Sequence, residues 1–281
     1  MNKHGKWLSR TVRYAFLILV GIVTLFPLVW LFFATFKSNQ EIFGSNSLLP
    51  ASFSWEAYVQ GWRGSGQFTY AKFFLNSILL TVPTVLFTLI SSTLTGYGFA
   101  RFRFRGKKVL RIILISTLML PSATLIVPRY ILFTKLGWSN TYLTFYIPAL
   151  LGCYPFFTYQ IMQYMRGLPR ELDEAAKIDG CHSFSMLLRV LLPLCKPALC
   201  AMGLFQFMWT WNDYFNANIY INSVSKYPVS LALRMSLDAQ ASINWSSVLA
   251  MCLLAILPCV LLYFLGQRYF VDGITTTGMK D

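Results

Sequence analysis

Apolar residues in this chain come in long unbroken runs, without the i, i+3, i+4 spacing of helices that turn one face to a core. Six stretches, approximately 14–36, 73–95, 110–130, 141–164, 198–221 and 247–268, are predominantly apolar throughout. Crossing the hydrocarbon of a bilayer takes roughly 20 residues of helix. The pattern predicts an all-α membrane protein with six transmembrane helices. An even number of spans places both termini on the same side. Between the fourth and fifth runs lies a charged, helix-like segment too short to cross anything.

Composition makes the soluble alternative untenable. Of 281 residues, 56% are hydrophobic and only 12% charged, where a soluble domain carries about a quarter charged. The first run follows a basic stretch, as a signal peptide would. It exceeds the ~7–15 residues of such a peptide's apolar region and no A-x-A site follows, so it is expected to stay as an anchor.

Net charge is +14, which by itself suits a nucleic-acid partner. The positions of the charges argue otherwise. Lys3, Lys6, Arg10 and Arg13 precede the first run; Arg101, Arg103, Arg105, Lys107, Lys108 and Arg111 lie between the second and third; Arg166, Arg170, Lys177, Arg189 and Lys196 lie between the fourth and fifth. The alternate connections are poorer, holding mainly Lys37, Arg63, Lys72, Lys135, Lys226 and Arg234. This asymmetry orients spans, with the basic loops and both termini in the cytoplasm. Nucleic acid is excluded as a partner; membrane lipid is expected.

Six cysteines (Cys153, Cys181, Cys195, Cys200, Cys252 and Cys259) include no C-x-x-C pair, and the only histidines are His4 and His182. No metal cluster is expected from such spacings, and the thiols read as small packing residues. Aromatics such as Trp7, Trp62, Trp138 and Trp245 gather near span ends, as interfacial belts do. Prolines recur inside the spans (Pro27, Pro83, Pro121, Pro148, Pro155 and Pro258), and each removes a backbone donor and favours a kink. Pro121-Ser122-Ala123-Thr124 fits a pathway-lining kink and helix packing through small residues equally well. No internal repeat of the kind that builds secondary transporters is visible.

The connection between spans four and five reads Gly167-Leu168-Pro169-Arg170-Glu171-Leu172-Asp173-Glu174-Ala175-Ala176-Lys177-Ile178-Asp179-Gly180. It predicts a delimited helix over about 169–180. Pro169 suits a first turn, and Glu171, Asp173 and Glu174 suit the positive end of the helix dipole. Asp173 and Lys177 are spaced as an i,i+4 ion pair, and Gly180 is a stop signal. Leu172, Ala175 and Ala176 share a face. Ser183 can cap a second helix running through Leu192, which Pro193 and Pro197 separate from span five. Such an element is either an amphipathic helix lying at the headgroups or a rigid knob on which a soluble motor acts.

The string Glu174-Ala175-Ala176, three residues, Gly180, nine residues, Val190-Leu191-Leu192-Pro193 resembles the EAA signature of ABC importer permeases, E-A-A-x3-G-x9-I-x-L-P, with Val190 for Ile its one departure. That resemblance implies that the segment is the coupling helix, with Glu174, Ala175, Ala176, Asp179, Gly180 and Pro193 at the interface with an ATPase subunit. Further elements resemble the carbohydrate-uptake type: Phe26-Pro27-Leu28-Val29-Trp30 with Phe36-Lys37-Ser38, Asn76-Ser77, Gly96-Tyr97-Gly98-Phe99-Ala100-Arg101, Ile178-Asp179-Gly180, and the ending Gln267-Arg268-Tyr269-Phe270-Val271-Asp272-Gly273. Trp211-Asn212-Asp213-Tyr214 is similar to that family's W-N-[DE]-F, with Tyr214 for Phe. By resemblance the chain resembles the smaller permease of maltose- and glycerol-phosphate-type systems, in the cell inner membrane. Residues 1–13 would be a cytoplasmic segment, 14–72 a first helix and external loop, and 73–281 the permease domain. The implied partners are a second homologous permease, ABC ATPase subunits and an extracytoplasmic solute-binding protein.

The chain itself is expected to perform no catalysis. A phosphate loop needs G-x4-G-K-[ST]; Gly61 and Gly66 have that separation, but Gln67-Phe68 follow. No cofactor is therefore expected here, and ATP and Mg would be bound by the partner ATPase. Asp213 is the one carboxylate inside an apolar run, and an intramembrane charge by default marks a function. It either presents acceptors to a sugar along a pathway, with Asn212 beside it and Trp209 and Trp211 stacking, or makes an interhelical hydrogen bond. An ion-coupled carrier would need further intramembrane acids or histidines, and a permease for a non-carbohydrate solute would lack the carbohydrate-type elements.

Overall fold

The structure is a computed structural model that describes residues 3–64, 67–152, 154–238 and 243–277. Of the positions singled out above, Cys153 and Gly66 lie outside the described residues, as do the side chains of Lys3, His4, Lys6, Trp7 and residues 268–273. Among the described residues every regular element is helical, as expected. The helices are α1 (Lys3–Ala34), α2 (Asn39–Gly44), α3 (Glu56–Arg63), α4 (Tyr70–Arg101), α5 (Lys107–Leu118), α6 (Ile126–Lys135), α7 (Leu143–Leu150) and α8 (Pro155–Gly167). They continue with α9 (Glu171–Ile178), α10 (Ser183–Met186), α11 (Leu192–Leu194), α12 (Lys196–Trp211), α13 (Tyr214–Tyr220), α14 (Val229–Asp238) and α15 (Trp245–Thr277).

Three stretches are single helices long and apolar enough to cross a membrane: Arg10–Ala34, Tyr70–Arg101 and Trp245–Gln267. The third expected span is a bent pair, in which Lys107–Leu118 meets Ala123–Lys135 at 101°. The fifth, 198–221, is α12 and α13 with an interruption at Asn212–Asp213; the 80° bend between Ser183–Leu194 and Lys196–Trp211 falls before it, where Pro193 and Pro197 are expected to separate the two. The fourth is two short helices, α7 and α8, each below spanning length. Of the six expected transmembrane helices, the described residues hold three long and apolar enough to span, or up to five if each bent pair counts as one. The physical reason lies largely in the prolines. Pro121 has no N–H for the Thr117 carbonyl and takes φ −60°, ψ 130°, out of the helical region, and Pro155 and Pro197 open the first turns of α8 and α12. Pro27, Pro83 and Pro258, by contrast, sit inside continuous helices.

The chain forms two compact units, residues 1–70 with 233–256, and residues 71–232 with 257–281. In the first, Ser38 and Glu41 make a reciprocal capping box at the start of α2. Glu41 also accepts from the Ala51 N–H at 3.0 Å, and Asn39 accepts from the Trp245 N–H at 2.9 Å. Lys37 is buried, its ammonium donating to the Ser47 carbonyl. A residue that looked like part of a charge bias is thus a structural tie. Over the window that qualifies α1 as a span, none of the helix is buried within its own unit.

The second unit is packed through small and hydroxylated residues, the usual way membrane helices approach closely. Thr84, Thr88, Ser91 and Ser92 on α4 are buried, and Ser91 donates to the Ala149 carbonyl at 2.6 Å. At Gly96 a Cβ would stand 2.5 Å from Ile161 Cγ2, so only glycine lets α4 and α8 approach this far. Asn76 donates to the Ser225 and Tyr227 carbonyls at 2.9 and 3.0 Å, and Ser77 Oγ accepts from the Val229 N–H at 2.7 Å. The Asn-Ser pair therefore ties the start of α4 to the segment leading into α14.

Candidate functional site

The short helix between the fourth and fifth runs is α9, and its start differs from the expectation. Pro169 lies outside the helix; Arg170 occupies the N-cap position without a capping side-chain bond, and Glu171, Asp173 and Glu174 fill the first turn. The C-terminus closes as a full Schellman motif. The Gly180 N–H donates to the Lys177 carbonyl at 3.0 Å and the Cys181 N–H to the Ala176 carbonyl at 2.9 Å. Gly180 has φ +77°, a left-handed conformation natural for glycine, and a Cβ there would meet nothing within 4 Å. The glycine is required by the backbone, not by crowding.

Asp173 does not pair with Lys177. Its Oδ2 lies 3.0 Å from Nε of Arg101, with side chains only 5% and 14% exposed. Arg101 also directs both terminal nitrogens at the Leu168 carbonyl, 3.3 Å each. One turn earlier, the Tyr97 hydroxyl donates to the Ser183 carbonyl at 2.8 Å. The end of α4 thus holds the helix and the segment after it. Sequence reasoning counted Arg101 among the orienting charges and at the end of a family-like element, without a partner for it. The signal available was its place at the end of a span, where an arginine can bury its fork.

Beyond α9 the expected second helix is three pieces. Ser183 is its first residue; His182 is the N-cap and makes no side-chain capping bond. A π turn, Leu187–Leu191, separates α10 from α11. Pro193 has no N–H for the Arg189 carbonyl, and the widened turn precedes that gap. Leu187 and Leu191 are buried in a core with Tyr97, Ala100, Phe157, Ile161, Met165 and Cys195. The segment is therefore seated on both α4 and α8.

The face expected at a partner divides. Ala176 is buried in the chain's own packing, which removes its side chain from the contact surface. Glu174, Ala175, Asp179, Gly180 and Pro193 are exposed. Beside them Ile178 is 86% exposed, and Phe184 and Leu188 are exposed as well. These large apolar side chains, on and just after a charged helix, are left uncovered by the chain's own packing.

A second candidate site surrounds Asp213. The residue is not within a helix: α12 ends at Trp211, and Asp213 is the N-cap of α13. Its Oδ1 accepts from the Asn216 N–H at 3.0 Å and its Oδ2 from Asn216 Nδ2 at 2.8 Å. The hydrogen bonds of this carboxylate within the chain are local, a third role beside the two considered above. Asp213 and Trp209 line a cavity of about 400 Å³ with Gln206, Thr210, Arg129 and Tyr220. Trp211 and Asn212 do not line it. Trp211 is 2% exposed and stacks on Phe207 at 5.3 Å and 15°, and Asn212 donates to the Met208 carbonyl at 2.8 Å. Gln206 and Arg129 escaped sequence reasoning; each is a strongly polar residue in a largely apolar stretch, and that was the signal to follow.

Comparison with known proteins agrees in family and fold. Residues 92–276 match the family described as binding-protein-dependent transport system inner membrane component. The probable ABC transporter permease protein YurM of Bacillus subtilis is 32% identical, covering 98% of this chain and 90% of that protein. The arabinooligosaccharides transport system permease protein AraQ of Halalkalibacterium halodurans is 30% identical over 98% and 96%. The trehalose/maltose transport system permease protein MalG of Thermococcus litoralis is 29% identical over 94% of each chain. A chain in the crystal structure of a bacterial ABC transporter involved in the import of the acidic polysaccharide alginate superposes with a TM-score of 0.83. It covers 96% of this chain and 99% of that one at 22% identity, which speaks to the fold.

Proposed function

This chain belongs to the family of binding-protein-dependent transport system inner membrane components, and we propose that it forms half of a carbohydrate pathway across the inner membrane. A component of such an importer is not in itself an enzyme. In this reading a second, homologous permease supplies the other half, and ABC ATPase subunits hold ATP and Mg. An extracytoplasmic solute-binding protein delivers the sugar. The chain crosses the bilayer six times with both termini cytoplasmic, a reading supported by the alternation of basic and less basic connections.

The observation that carries the proposal is the seating of α9. A helix of eight residues is marginal on its own; this one is closed by a Schellman motif and braced by Arg101. It exposes Glu174, Ala175 and Ile178 for a partner to grip. Closure of the ATPase subunits moves α9 with α4 and α8, and the cavity beside Asp213 changes its access. There Trp209 offers a ring face, and Thr210 and Gln206 offer polar groups suited to sugar hydroxyls. Carbohydrate as the solute is supported by the names of relatives and by this mixture of aromatic and polar lining.

The test is the assembled complex in proteoliposomes, with sugar-loaded binding protein outside and ATP inside. Uptake coupled to ATP hydrolysis is expected. Asp213→Asn should assemble normally and transport more slowly, because the N-cap carboxylate that holds Asn216 at the cavity wall through two hydrogen bonds is replaced by an amide with a single acceptor oxygen. Full-rate uptake by that variant would remove Asp213 from the pathway.

A further inference from the structure

We propose that the cavity beside Asp213 selects by charge and takes a saccharide bearing a carboxylate, with Arg129 as the residue that recognises it. This rests on the reading of the cavity as part of the pathway. Arg129 lies on α6 and lines the 400 Å³ cavity and also an adjoining one of about 200 Å³. In the smaller cavity it is the only charged lining residue, and Asn216 and Tyr220 line both. Among the described residues Arg129 makes no hydrogen bond or ion pair, in contrast to Arg101, which pairs with Asp173. Asp213, the other charge at the larger cavity, has both oxygens bonded to Asn216.

Arg129 is exposed and carries its charge in a predominantly apolar run, where a charge by default marks a function, and it retains its full set of donors. A neutral sugar is served by amides, hydroxyls and aromatic faces, and gains little from an unpaired guanidinium. A planar, five-donor fork matches a carboxylate bidentately. The larger cavity supplies what the rest of a sugar needs. Gln206 is 1% exposed, and its buried Oε1 has no hydrogen-bond partner. Its Nε2 already donates to Thr210 at 2.9 Å. A buried acceptor without a donor is unfavourable until something supplies one, and a sugar hydroxyl does so. Trp209 is half-exposed, braced by Phe156 and Phe157 at 5.3 and 5.1 Å, and leaves ring surface for stacking. An anionic glycerol lipid headgroup would use the same fork, but it offers no ring face to the aromatic platform.

The experiment uses the whole complex, with partner permease and ATPase subunits, in nanodiscs without the binding protein. Digalacturonate and galactobiose, which differ in the carboxylates, are titrated by calorimetry into the wild type and the Arg129→Gln, Arg129→Lys and Gln206→Leu variants. The wild type should prefer digalacturonate. Arg129→Gln should lose roughly ten- to a hundred-fold in affinity for it, as expected for a charge-assisted hydrogen bond, and leave galactobiose unchanged. Arg129→Lys should keep part of the preference, and Gln206→Leu should weaken both sugars. A wild type that prefers galactobiose, or an Arg129→Gln variant that treats the sugars as the wild type does, overturns the charge reading. The cavity reading survives that result if Gln206→Leu still weakens galactobiose, and fails too if neither sugar binds. If Arg129→Gln instead dissociates the complex, or its effect follows the phosphatidylglycerol content of the disc, Arg129 serves a partner or a lipid and the proposal fails.

Discussion

Removing the Arg101 guanidinium tests how far the seating of α9 depends on one side chain. Arg101→Met keeps most of the stem and deletes the fork. It leaves Asp173, 14% exposed, without the cation 3.0 Å from it, and the Leu168 carbonyl without its two donors. Breaking a buried ion pair from one side costs about 3–5 kcal/mol when the remaining charge stays buried. Asp173 sits on a short helix that can swing toward water, so the lower end, about 3 kcal/mol, is expected. That cost falls on the local opening of α9, and each 1.36 kcal/mol is a factor of ten. Hydrogen exchange read by mass spectrometry on peptides covering 171–181 should therefore quicken by roughly a hundred-fold. Peptides from α15 should be unaffected. Uptake per ATP hydrolysed should fall with it. Arg101→Met combined with Asp173→Leu should recover much of the protection, because no buried charge is left behind. Unchanged exchange in Arg101→Met, or single variants whose effects simply add in the double, would refute the argument, since coupled neighbours depart from additivity by 0.5–3 kcal/mol.

Gly180→Pro should leave the protein inserted but uncouple ATPase activity from uptake, because proline cannot adopt φ +77° and has no N–H for the Lys177 carbonyl; wild-type uptake would contradict the coupling role. Gly180→Ala, with open space around the new methyl, should cost only about 1 kcal/mol of backbone strain and keep most activity. Gly96→Val should destabilise by at least the ~1–3 kcal/mol of an overpacked core, visible as a lower unfolding temperature in detergent, since even a Cβ would collide with Ile161. Glu41 titrates below its ordinary value of 4.5, chiefly because the Ser38 and Ala51 N–H groups donate to its carboxylate. A carboxylate with a lowered folded value contributes stability above 4.5 that is lost as pH falls through the folded value. Glu41→Gln should therefore flatten the acid limb of the unfolding temperature below about pH 4.5, and an unchanged limb would count against it.

Much of the architecture was legible because the bilayer imposes a simple rule on sequence, a long apolar run per crossing. The existence of α9, its acidic first turn and its glycine stop follow from local chemistry and were readable for that reason. What local chemistry does not reveal is who pairs with whom. Asp173 has a candidate partner four residues away and another seventy-two positions earlier, and only the fold brings Arg101 to it. Helix breaks were half legible. Pro121 signalled one, yet Asn212-Asp213 interrupts the fifth run with no proline, and Pro83 and Pro258 interrupt nothing. The pathway candidates divided likewise. Trp209 and Trp211 are two residues apart, about 200° around a helix, so one meets the cavity and the other the core.

The seating of α9 also determines where the second unit can yield. A force applied to this helix finds little slack, because Arg101 and Tyr97 fasten its neighbourhood to α4 and the buried leucines fasten it to α8. Whatever displacement a partner imposes is passed on nearly undiminished to two stiff rods. Compliance must then reside where hydrogen-bonded helix is interrupted, Met119–Pro121 and Asn212–Asp213 among those places. The second of these joints borders the cavity directly, so movement taken up there would appear as a change in the cavity's own walls.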